Sequence, residues 1–324
     1  MQSERSISRR ALLRGAAAAG IGTSISRIAT AKSAAHGNES WRSLHRFRLG
    51  SMRVCVIDDA RFTFPAQAFA ANQPQGTIEP FLARFGLPTD SVSLHMQLTL
   101  VESGAHKVLI DTGMGDVTFP GNDVDNGRLE YGLAALGLKP ADITAVIISH
   151  GHPDHIGSCS RKGKPAFKNA TYYMPPSELE FWTQRPDSDD DFMNFMLGVG
   201  NAQLEPIREL IKPYADGDEI VPGITAISAP GHTLGHHAFL LHDGDAKLLH
   251  MIDTAVHYLV GVEEPDWALG VEMNPEEALL TRRSLFAKAA NEKVLVAGYH
   301  FPFPGIGRIV ERDSSWRFVP IQTA

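Results

Sequence analysis

Cysteine and long hydrophobic runs are scarce in this sequence, and each shortage excludes a class of protein. Only two cysteines occur among 324 residues, Cys55 and Cys159, and they lack the spacing of a metal-binding pair. Each lies among small or apolar neighbours, which favours two separate buried thiols, although a disulfide between them stays open. No stretch approaches the roughly 18 apolar residues of a transmembrane helix. With 43% hydrophobic and 21% charged residues, the composition is that of a globular protein.

Basic residues are also in short supply. The chain has 30 lysines and arginines against 37 aspartates and glutamates, a formal net charge of −7. Residues 1–31 contain five of the arginines and one glutamate, so residues 32–324 carry 25 basic and 36 acidic residues, a net charge of −11. Such a surface repels phosphate backbones, which excludes nucleic acid as a partner and leaves a small-molecule substrate.

Residues 1–31 have the pattern of an export signal. The basic stretch Ser8–Arg14 is followed by the small and apolar run Gly15–Ile25 and then by Ala29-Thr30-Ala31, which resembles a cleavage site. Arg9-Arg10 ahead of two leucines is typical of a twin-arginine signal. An uncleaved anchor is the alternative, but the run is too short and too rich in glycine and alanine to span a bilayer. We predict a periplasmic or secreted protein with no stable membrane association after cleavage.

The rest of the chain, residues 32–324, is predicted to form a single domain. Short apolar runs bounded by turn residues predict strands, and apolar residues at i, i+3 and i+4 predict helices. The predicted strands are a meander over Phe47–Pro65, then Leu94–Val101, Lys107–Asp111, Ile143–Ser149, Ala170–Met174, Ile224–Ser228, Ala238–Leu241, Leu248–Ile252 and Val294–Ala297. Helices are predicted near Pro80–Phe85, over 128–138, from Pro176, from Phe192 and over Pro275–Ala290. This order indicates an α+β fold, a four-layer αββα sandwich with two sheets inside and helices outside.

Three histidines and an aspartate follow the apolar run Ala145–Ile148 within six residues, in the order His150-Gly151-His152-Pro153-Asp154-His155. Neutral imidazole nitrogens and carboxylate oxygens are the ligands that borderline divalent metals prefer. His150 and His152 are two apart in extended chain, so both can point to one ion. Pro153 then turns the chain, which directs Asp154 and His155 to a second position nearby. A histidine-rich surface turn that binds nothing is the alternative, but other strands supply further ligands.

Three later strands are each followed by another potential metal ligand, namely His232, Asp253 and His300. Strand ends in layered sheets converge on one edge, so these side chains are expected to meet the histidine cluster. Seven ligands suit two four- or five-coordinate ions that share one carboxylate and one solvent oxygen, whereas a structural zinc needs four. The count favours a catalytic site with two metal ions.

The same residues resemble the motifs of a known superfamily. His150–His155, Gly231–His236, Leu109–Gly113, Asp253 and His300 are similar to the motifs of the metallo-β-lactamase fold superfamily, over about residues 94 to 300. The N-terminal meander and three further segments resemble the methyl parathion hydrolase-like subfamily, namely Phe181-Trp182, Phe303–Gly307 and Arg317–Pro320.

The resemblance implies a role for each of these residues. The first ion would be held by His150, His152 and His232, the second by Asp154, His155 and His300, with Asp253 as the bridge. The expected ions are two Zn²⁺ per chain, with other divalent metals left open. A hydroxide between the ions would be the nucleophile, because zinc lowers the pKa of water to about 7, and Asp154 would accept or relay the proton. Asp111 would orient a ligand histidine, and His236 would be a structural hydrogen-bonding residue.

Members of this subfamily hydrolyse phosphotriesters, lactones and aryl esters, so the resemblance implies a hydrolase of small apolar esters. Lactones such as acyl-homoserine lactones, or aryl esters, are the preferred substrates, with organophosphate triesters as an added activity. One alternative is β-lactam hydrolysis, against which Asp253 counts because true β-lactamases are expected to lack a bridging aspartate. The other is a metal-binding protein without turnover.

Six residues are candidates for the substrate pocket: Trp182, Phe119, Phe192, Phe195, His257 and Tyr258. The resemblance implies Trp182, and Phe119 lies in the loop after Asp111. Phe192 and Phe195 share a helix face that packing on a sheet explains equally well. His257 and Tyr258 follow Asp253 closely, although packing in the core or at the surface is the favoured explanation for them. A homodimer is left open by the apolar character of residues 66–90.

Overall fold

The computed structural model describes residues 44–119 and 127–321. The export signal predicted at residues 1–31 lies outside these described residues and stays a prediction. Among the helices in the two described ranges, none combines the length and the apolar character that crossing a bilayer requires.

Two seven-stranded sheets form the centre of the described structure. In spatial order, the first sheet contains β1 (Leu44–Leu49), β2 (Met52–Pro65), β3 (Ser91–Ser103), β4 (His106–Ile110), β5 (Ala145–Ile147), β8 (Thr171–Met174) and β9 (Ile211–Pro213). The second contains β10 (Glu219–Val221), β11 (Ile224–Ser228), β12 (His237–Asp243), β13 (Ala246–Ile252), β14 (Leu295–Gly298), β15 (Ile306–Arg312) and β16 (Ser315–Pro320). A small separate hairpin pairs β6 (Ser160–Arg161) with β7 (Lys164–Pro165).

Helices cover the outer faces of the sheets and fill the connections. The α-helices are α1 (Ile78–Ala83), α2 (Leu129–Ala135), α3 (Pro153–Ile156), α4 (Pro176–Trp182), α5 (Asp191–Leu204), α6 (Val260–Glu263) and α7 (Pro275–Asn291). Short 3₁₀ helices occupy Ala66–Ala70, Pro140–Asp142 and Glu205–Leu210. The predicted strands and helices are therefore present, with ends shifted by a few residues.

Alternating side chains explain why both faces of each sheet are buried. In β2, Val54 and Val56 face the second sheet, whereas Cys55 and Ile57 face the outer layer, because successive residues of a strand point to opposite faces. In β13, Leu248 faces the first sheet and its neighbour Leu249 packs under α7. The result is the predicted four-layer αββα sandwich, which the structure confirms.

Most strand pairs are antiparallel hairpins, but β4, β5, β8 and β9 run parallel, as do β13 and β14. Parallel strands place their carboxyl ends at one edge of a sheet, where loops carry functional residues. The segments after β5, β13 and β14 contain six of the seven predicted ligands. The seventh, His232, follows β11, which runs in the same direction as β13 because both are antiparallel to β12, so the topology accounts for the convergence.

The predicted meander over Phe47–Pro65 contains one local irregularity. The long strand β2 continues through Asp58-Asp59 with a β-bulge between Asp58 and Ala60. The bulge directs the buried Asp59 carboxylate to the backbone N–H groups of Met114 and Leu129, at 3.0 and 2.8 Å. A bulge re-aims a side chain without ending the pairing, so a polar pair inside a strand is tolerated. Cys55 and Cys159 are both buried and free.

Candidate metal centre

All seven predicted ligands converge at one edge of the sandwich. Their donor atoms form two groups in which the atoms lie within 4.8 Å of one another: His150, His152, His232 and Asp253 in the first group, and Asp154, His155 and His300 in the second. Each of the seven residues is buried, with at most 6% of its surface exposed. No sequence-predicted ligand therefore lies outside the centre.

The local chain geometry explains how one short segment supplies both groups. His152 is extended, at φ −66° and ψ 148°, as expected for the residue before a proline. Pro153 then begins α3, where a proline is tolerated because the first helical N–H has no partner inside the helix. The extended part directs His150 and His152 to the first group, and the helical turn directs Asp154 and His155 to the second.

Asp253 lies between the two groups. Its Oδ2 atom is 3.2 Å from His232 Nε2 in the first group and 3.2 Å from His300 Nε2 in the second. The same oxygen is 3.4 Å from His155 Nε2. The preceding residue, Ile252, has φ 49°, a left-handed conformation that costs a β-branched residue about 1–3 kcal/mol. This strained turn ends β13 and points the Asp253 carboxylate sideways between the two groups.

The hydrogen bonds of the outer nitrogens fix where the imidazole lone pairs point. His155 Nδ1 donates to Asp111 Oδ2 at 2.9 Å, and His300 Nδ1 donates to the carbonyl oxygen of His95 at 2.7 Å. Each Nε2 lone pair therefore faces the acceptor oxygen of Asp253. Within residues 44–119 and 127–321, His155 Nε2 and Asp253 Oδ1 have no hydrogen-bond partner although both are buried. Facing acceptors repel unless a cation or a proton lies between them, so the donor set fits a pair of divalent ions.

Charge within the centre depends on burial and on the carboxylates. Burial lowers the pKa of His155, but carboxylates led by Asp253 and Asp154 outweigh it and raise that pKa well above its ordinary value. Burial, and then the charge of His155, lower the pKa of His150 well below its ordinary value. Burial would raise the pKa of Asp253, yet His300 and His155 outweigh it and hold that pKa well below its ordinary value. His150 thus offers a neutral imidazole to the first group, whereas at His155 in the second group a proton competes with a metal ion.

Asp111 orients two of the ligand histidines. Besides His155 it accepts a hydrogen bond from the Ser149 backbone N–H and one from the Ser149 hydroxyl, both at 2.8 Å. The Ser149 oxygen in turn lies 3.0 Å from His150 Nδ1, so one carboxylate positions both rings. His236 supports the centre differently: its Nδ1 donates to the Ala229 carbonyl at 2.8 Å, and its Nε2 accepts the Asp253 backbone N–H at 3.1 Å.

Replacing Asp111 by asparagine is expected to weaken zinc binding by about 10- to 100-fold, the usual effect of losing a partner of a ligand histidine. Asp111 has φ 57°, a conformation that asparagine adopts readily, so the backbone is retained. The substitution removes the charge and replaces one oxygen that accepts from Ser149 or His155 by an NH₂ group that cannot accept. Competition with a chromogenic chelator measures the affinity. An affinity within twofold of the unchanged protein would show that Asp111 has no part in positioning the histidines.

An apolar cavity opens onto the centre. Its wall includes His152, Asp154, His232, Asp253 and His300 from the ligand set, and otherwise consists of Phe62, Phe64, Ala68, Phe69, Leu94, Phe119, Pro153, Phe192, Met196, Val256, Leu269 and Val271. Phe119 lies centrally, with its ring 5.4 Å from Phe62 and 6.2 Å from Phe192 between centroids. Sequence reasoning found Phe119 and Phe192 but missed Phe62 and Phe64. Their i, i+2 spacing on β2 was the available signal, because it places both rings on one face.

Four residues predicted for the pocket lie elsewhere. Phe195 packs against Phe119, 5.6 Å between ring centroids, and is absent from the cavity wall. Trp182 is fully buried with its ring 5.1 Å from that of His152, so it supports a ligand from the side away from the cavity. His257 accepts the backbone N–H groups of Leu259 and Val260, and burial lowers its pKa to about 4. Tyr258 packs on His257, 4.8 Å between ring centroids. Their roles are packing and helix capping.

Comparisons with known proteins agree with this geometry. A family model described as the Metallo-beta-lactamase superfamily matches residues 98–300. The chain is 34% identical over 154 residues to the N-acyl homoserine lactonase AttM of Agrobacterium fabrum strain C58, a match covering 44% of this chain and 52% of that protein. The match thus spans about half the length of this relative. An N-acyl homoserine lactonase of Bacillus thuringiensis is 25% identical over 255 residues, which is 72% of this chain and 88% of that protein.

A solved structure resembles the fold over nearly its whole length. It is that of AidC, a dizinc quorum-quenching lactonase in complex with a product, N-hexanoyl-L-homoserine. The TM-score is 0.81 and the identity 22%, with 87% of this chain and 98% of that chain covered. At this identity the likeness concerns the fold alone.

Proposed function

Because the chain belongs to the metallo-beta-lactamase superfamily, we propose that it is a two-zinc hydrolase that opens small apolar lactones. The observation that carries the proposal is the position of Asp253, whose Oδ2 lies 3.2 Å from a histidine nitrogen of each donor group. A single metal ion would leave one of the groups unused. The N-acyl homoserine lactonases among the relatives support lactones as the substrate class.

The chain's own residues perform distinct tasks in this reaction. Two zinc ions, when bound, would lower the pKa of water to about 7 and polarise the substrate carbonyl. The aromatic wall would hold the acyl chain and exclude bulk water, since apart from the ligand set the wall is apolar. Asp154 faces both the cavity and the second group, with its Oδ2 3.4 Å from His300 Nε2.

Asp154 is therefore placed to move the proton. The oxygen of the attacking water bonds to the carbonyl carbon while the ring C–O bond breaks. Asp154 accepts the proton that the water loses and returns it to the leaving alkoxide oxygen. The products are an alcohol and a carboxylic acid on one molecule, and the acid releases its remaining proton to solvent at neutral pH, so the reaction needs no further reactant besides water.

Aryl esters and dimethyl aryl phosphates are proposed as additional substrates. The favouring observation is the run of aromatic rings beside the centre, Phe62, Phe119 and Phe192, with centroids 5.4 and 6.2 Å apart. Offset or edge contacts with such rings stabilise an aryl leaving group by about 0.5–1.5 kcal/mol each. Hydrolysis at phosphorus uses the same water and the same proton path.

A substrate panel on zinc-loaded protein tests the proposal. We expect hydrolysis of N-hexanoyl-homoserine lactone with kcat/KM of at least about 10⁴ M⁻¹s⁻¹, in the ordinary range for enzymes. Aryl esters and dimethyl aryl phosphates are expected to turn over more slowly, and nitrocefin at least about 100-fold more slowly. Chelator-treated protein is the control. No turnover of any lactone, or nitrocefin as the best substrate, would refute the proposal.

A further inference from the structure

Two buried side chains outside the ligand set, Glu178 and Tyr299, each contact one donor group. Both are 0% exposed. Neither is a metal ligand and neither lies in the cavity wall. A buried carboxylate and a buried phenol are retained only where they form specific hydrogen bonds, so their partners indicate what each residue does.

Glu178 joins the two chain segments that form the first group. Its Oε2 accepts the backbone N–H of Gly151, between two of the ligands, at 2.9 Å, and the indole N–H of Trp182 at 2.7 Å. Its Oε1 accepts the backbone N–H of Gly235, in the loop of His232, at 2.6 Å. One carboxylate therefore fixes the distance between segments 84 residues apart in the chain, Gly151 and Gly235.

The two glycines make this contact possible. A Cβ atom on Gly151 would lie 2.1 Å from Trp182 Cδ1, and one on Gly235 would lie 2.2 Å from Ser177 Oγ. Either clash would push α4, and Glu178 with it, away from the ligand segments. The glycines of the two histidine motifs therefore serve the approach of Glu178 and Trp182, which are not themselves ligands.

Tyr299 has the same relation to the second group. Its hydroxyl donates to the backbone carbonyl of Asp154 at 2.6 Å. Its ring stacks on that of His155, with centroids 4.0 Å apart and planes at 27°. It directly precedes His300 in the chain. Tyr299 thus contacts two of the three donors of the second group and is bonded to the third.

We propose that Glu178 and Tyr299 are separate positioning residues, Glu178 for the metal ion of the first group and Tyr299 for the metal ion of the second. The proposal rests on the two-metal centre of the proposed function. Glu178 has no hydrogen bond to the second group, and Tyr299 none to the first, within the part of the chain that the structure describes. Each residue therefore controls the occupancy of one site, and losing it empties that site first.

Matched substitutions test this separation. Glu178→Gln keeps the shape of the side chain but replaces one carboxylate oxygen by an NH₂ group. Because that group cannot accept, at least one of the N–H hydrogen bonds to Glu178 is lost. Tyr299→Phe keeps the stacked ring and removes only the hydroxyl. Tyr172→Phe is the control, because Tyr172 is equally buried and its hydroxyl donates to the Cys159 carbonyl at 3.3 Å, away from the ligands. Full-length zinc-loaded proteins are titrated with a chelator, and the occupancy of each group is read from anomalous diffraction.

We expect Glu178→Gln to bind the first ion about 10- to 100-fold more weakly while the second ion stays, and Tyr299→Phe to show the reverse. Tyr172→Phe should keep both ions. A general loss of stability would lower both occupancies alike, so the selective loss separates positioning from a merely structural role. Equal loss of both ions, or loss from the opposite group, would overturn the proposal.

Two further results complete the test. If Glu178→Gln is insoluble, Trp182→Phe replaces it, because it removes one donor from the Glu178 carboxylate and should lower the first occupancy selectively but less. Non-selective loss in that variant counts against the proposal. If the unchanged protein binds fewer than two zinc ions, the proposed function itself is refuted. If it binds two ions but each variant loses both ions alike, only the separate positioning roles are refuted.

Discussion

Replacing Asp253 by asparagine is expected to lower kcat/KM for the best lactone by about 10³-fold or more. The Asp253 Oδ2 atom lies 3.2 Å from a nitrogen donor of each group, and an amide of the same shape lacks the negative charge that two neighbouring cations require. Loss of one preorganised donor from an active site costs about 10²- to 10³-fold, and a residue shared by both groups should cost at least as much. Steady-state kinetics measure the fall in kcat/KM, and the zinc content per chain shows whether both ions are still bound.

The control for this variant is Asp187→Asn, which makes the same chemical change at an exposed aspartate outside the ligand set and the cavity wall. It should keep full activity and both ions. Asp253→Asn protein with two zinc ions and a kcat/KM within tenfold of the unchanged protein would show that the bridging carboxylate is dispensable. Thermal unfolding in the presence of equal zinc confirms that both variants are folded before they are compared.

The ligand set could be predicted because each ligand follows an apolar strand. The runs ending at Ile148, Ile252 and Ala297 are recognisable without a structure, and polar residues at such ends are rarely needed for packing. The superfamily is inferred from the resemblance of these motifs, and the family model over residues 98–300 confirms it. The four-layer fold could be predicted because the order of strands and helices follows from local patterns in the sequence, and the structure confirms it.

Two buried carboxylates outside the ligand set could not be predicted in the same way. Glu178 stands in an ordinary helical segment, and Asp59 beside Asp58 has the pattern of a turn. Their function depends on partners 27 to 70 residues away, such as Gly151 for Glu178 and Leu129 for Asp59. Such pairings depend on how the layers pack, which no spacing in the sequence encodes.

The cavity wall shows a related limit. Trp182 follows Phe181 on α4, and aromatic residues are common in pockets. Its buried indole N–H instead donates to Glu178, on the side of His152 that faces away from the cavity. Phe62 and Phe64 face the cavity although their strand has the pattern of an ordinary core strand. Aromatic residues have the same spacing in strands of the core and in strands of a cavity wall, so only the packing of the folded chain shows which ones line the cavity.

Neighbouring arginines on α7 are expected to differ strongly in their contribution to stability. Arg282 is 3% exposed and pairs with the buried Glu272. It also donates to the carbonyl oxygen of Thr254, directly after Asp253, at 2.8 Å, and to those of Pro265 and Trp267 at 3.0 Å. Replacing Arg282 by methionine should lower the free energy of unfolding by about 3–5 kcal/mol, because a buried carboxylate loses its only described cationic partner.

Arg283→Met is the matched control, since it makes the same change one position along the same helix. Arg283 pairs with Asp266, and their side chains are 39% and 59% exposed, so solvent screens the interaction. Its replacement should lower the free energy of unfolding by about 1 kcal/mol or less. Urea unfolding at one fixed zinc concentration measures both. Losses within about 1 kcal/mol of each other would contradict the prediction, because the buried pair would then contribute no more than the exposed one. Glu272 also accepts the backbone N–H of the cavity residue Leu269 at 3.0 Å. A large loss confined to Arg282→Met would therefore show that the buried Arg282–Glu272 pair fixes the loop between Asp253 and Leu269.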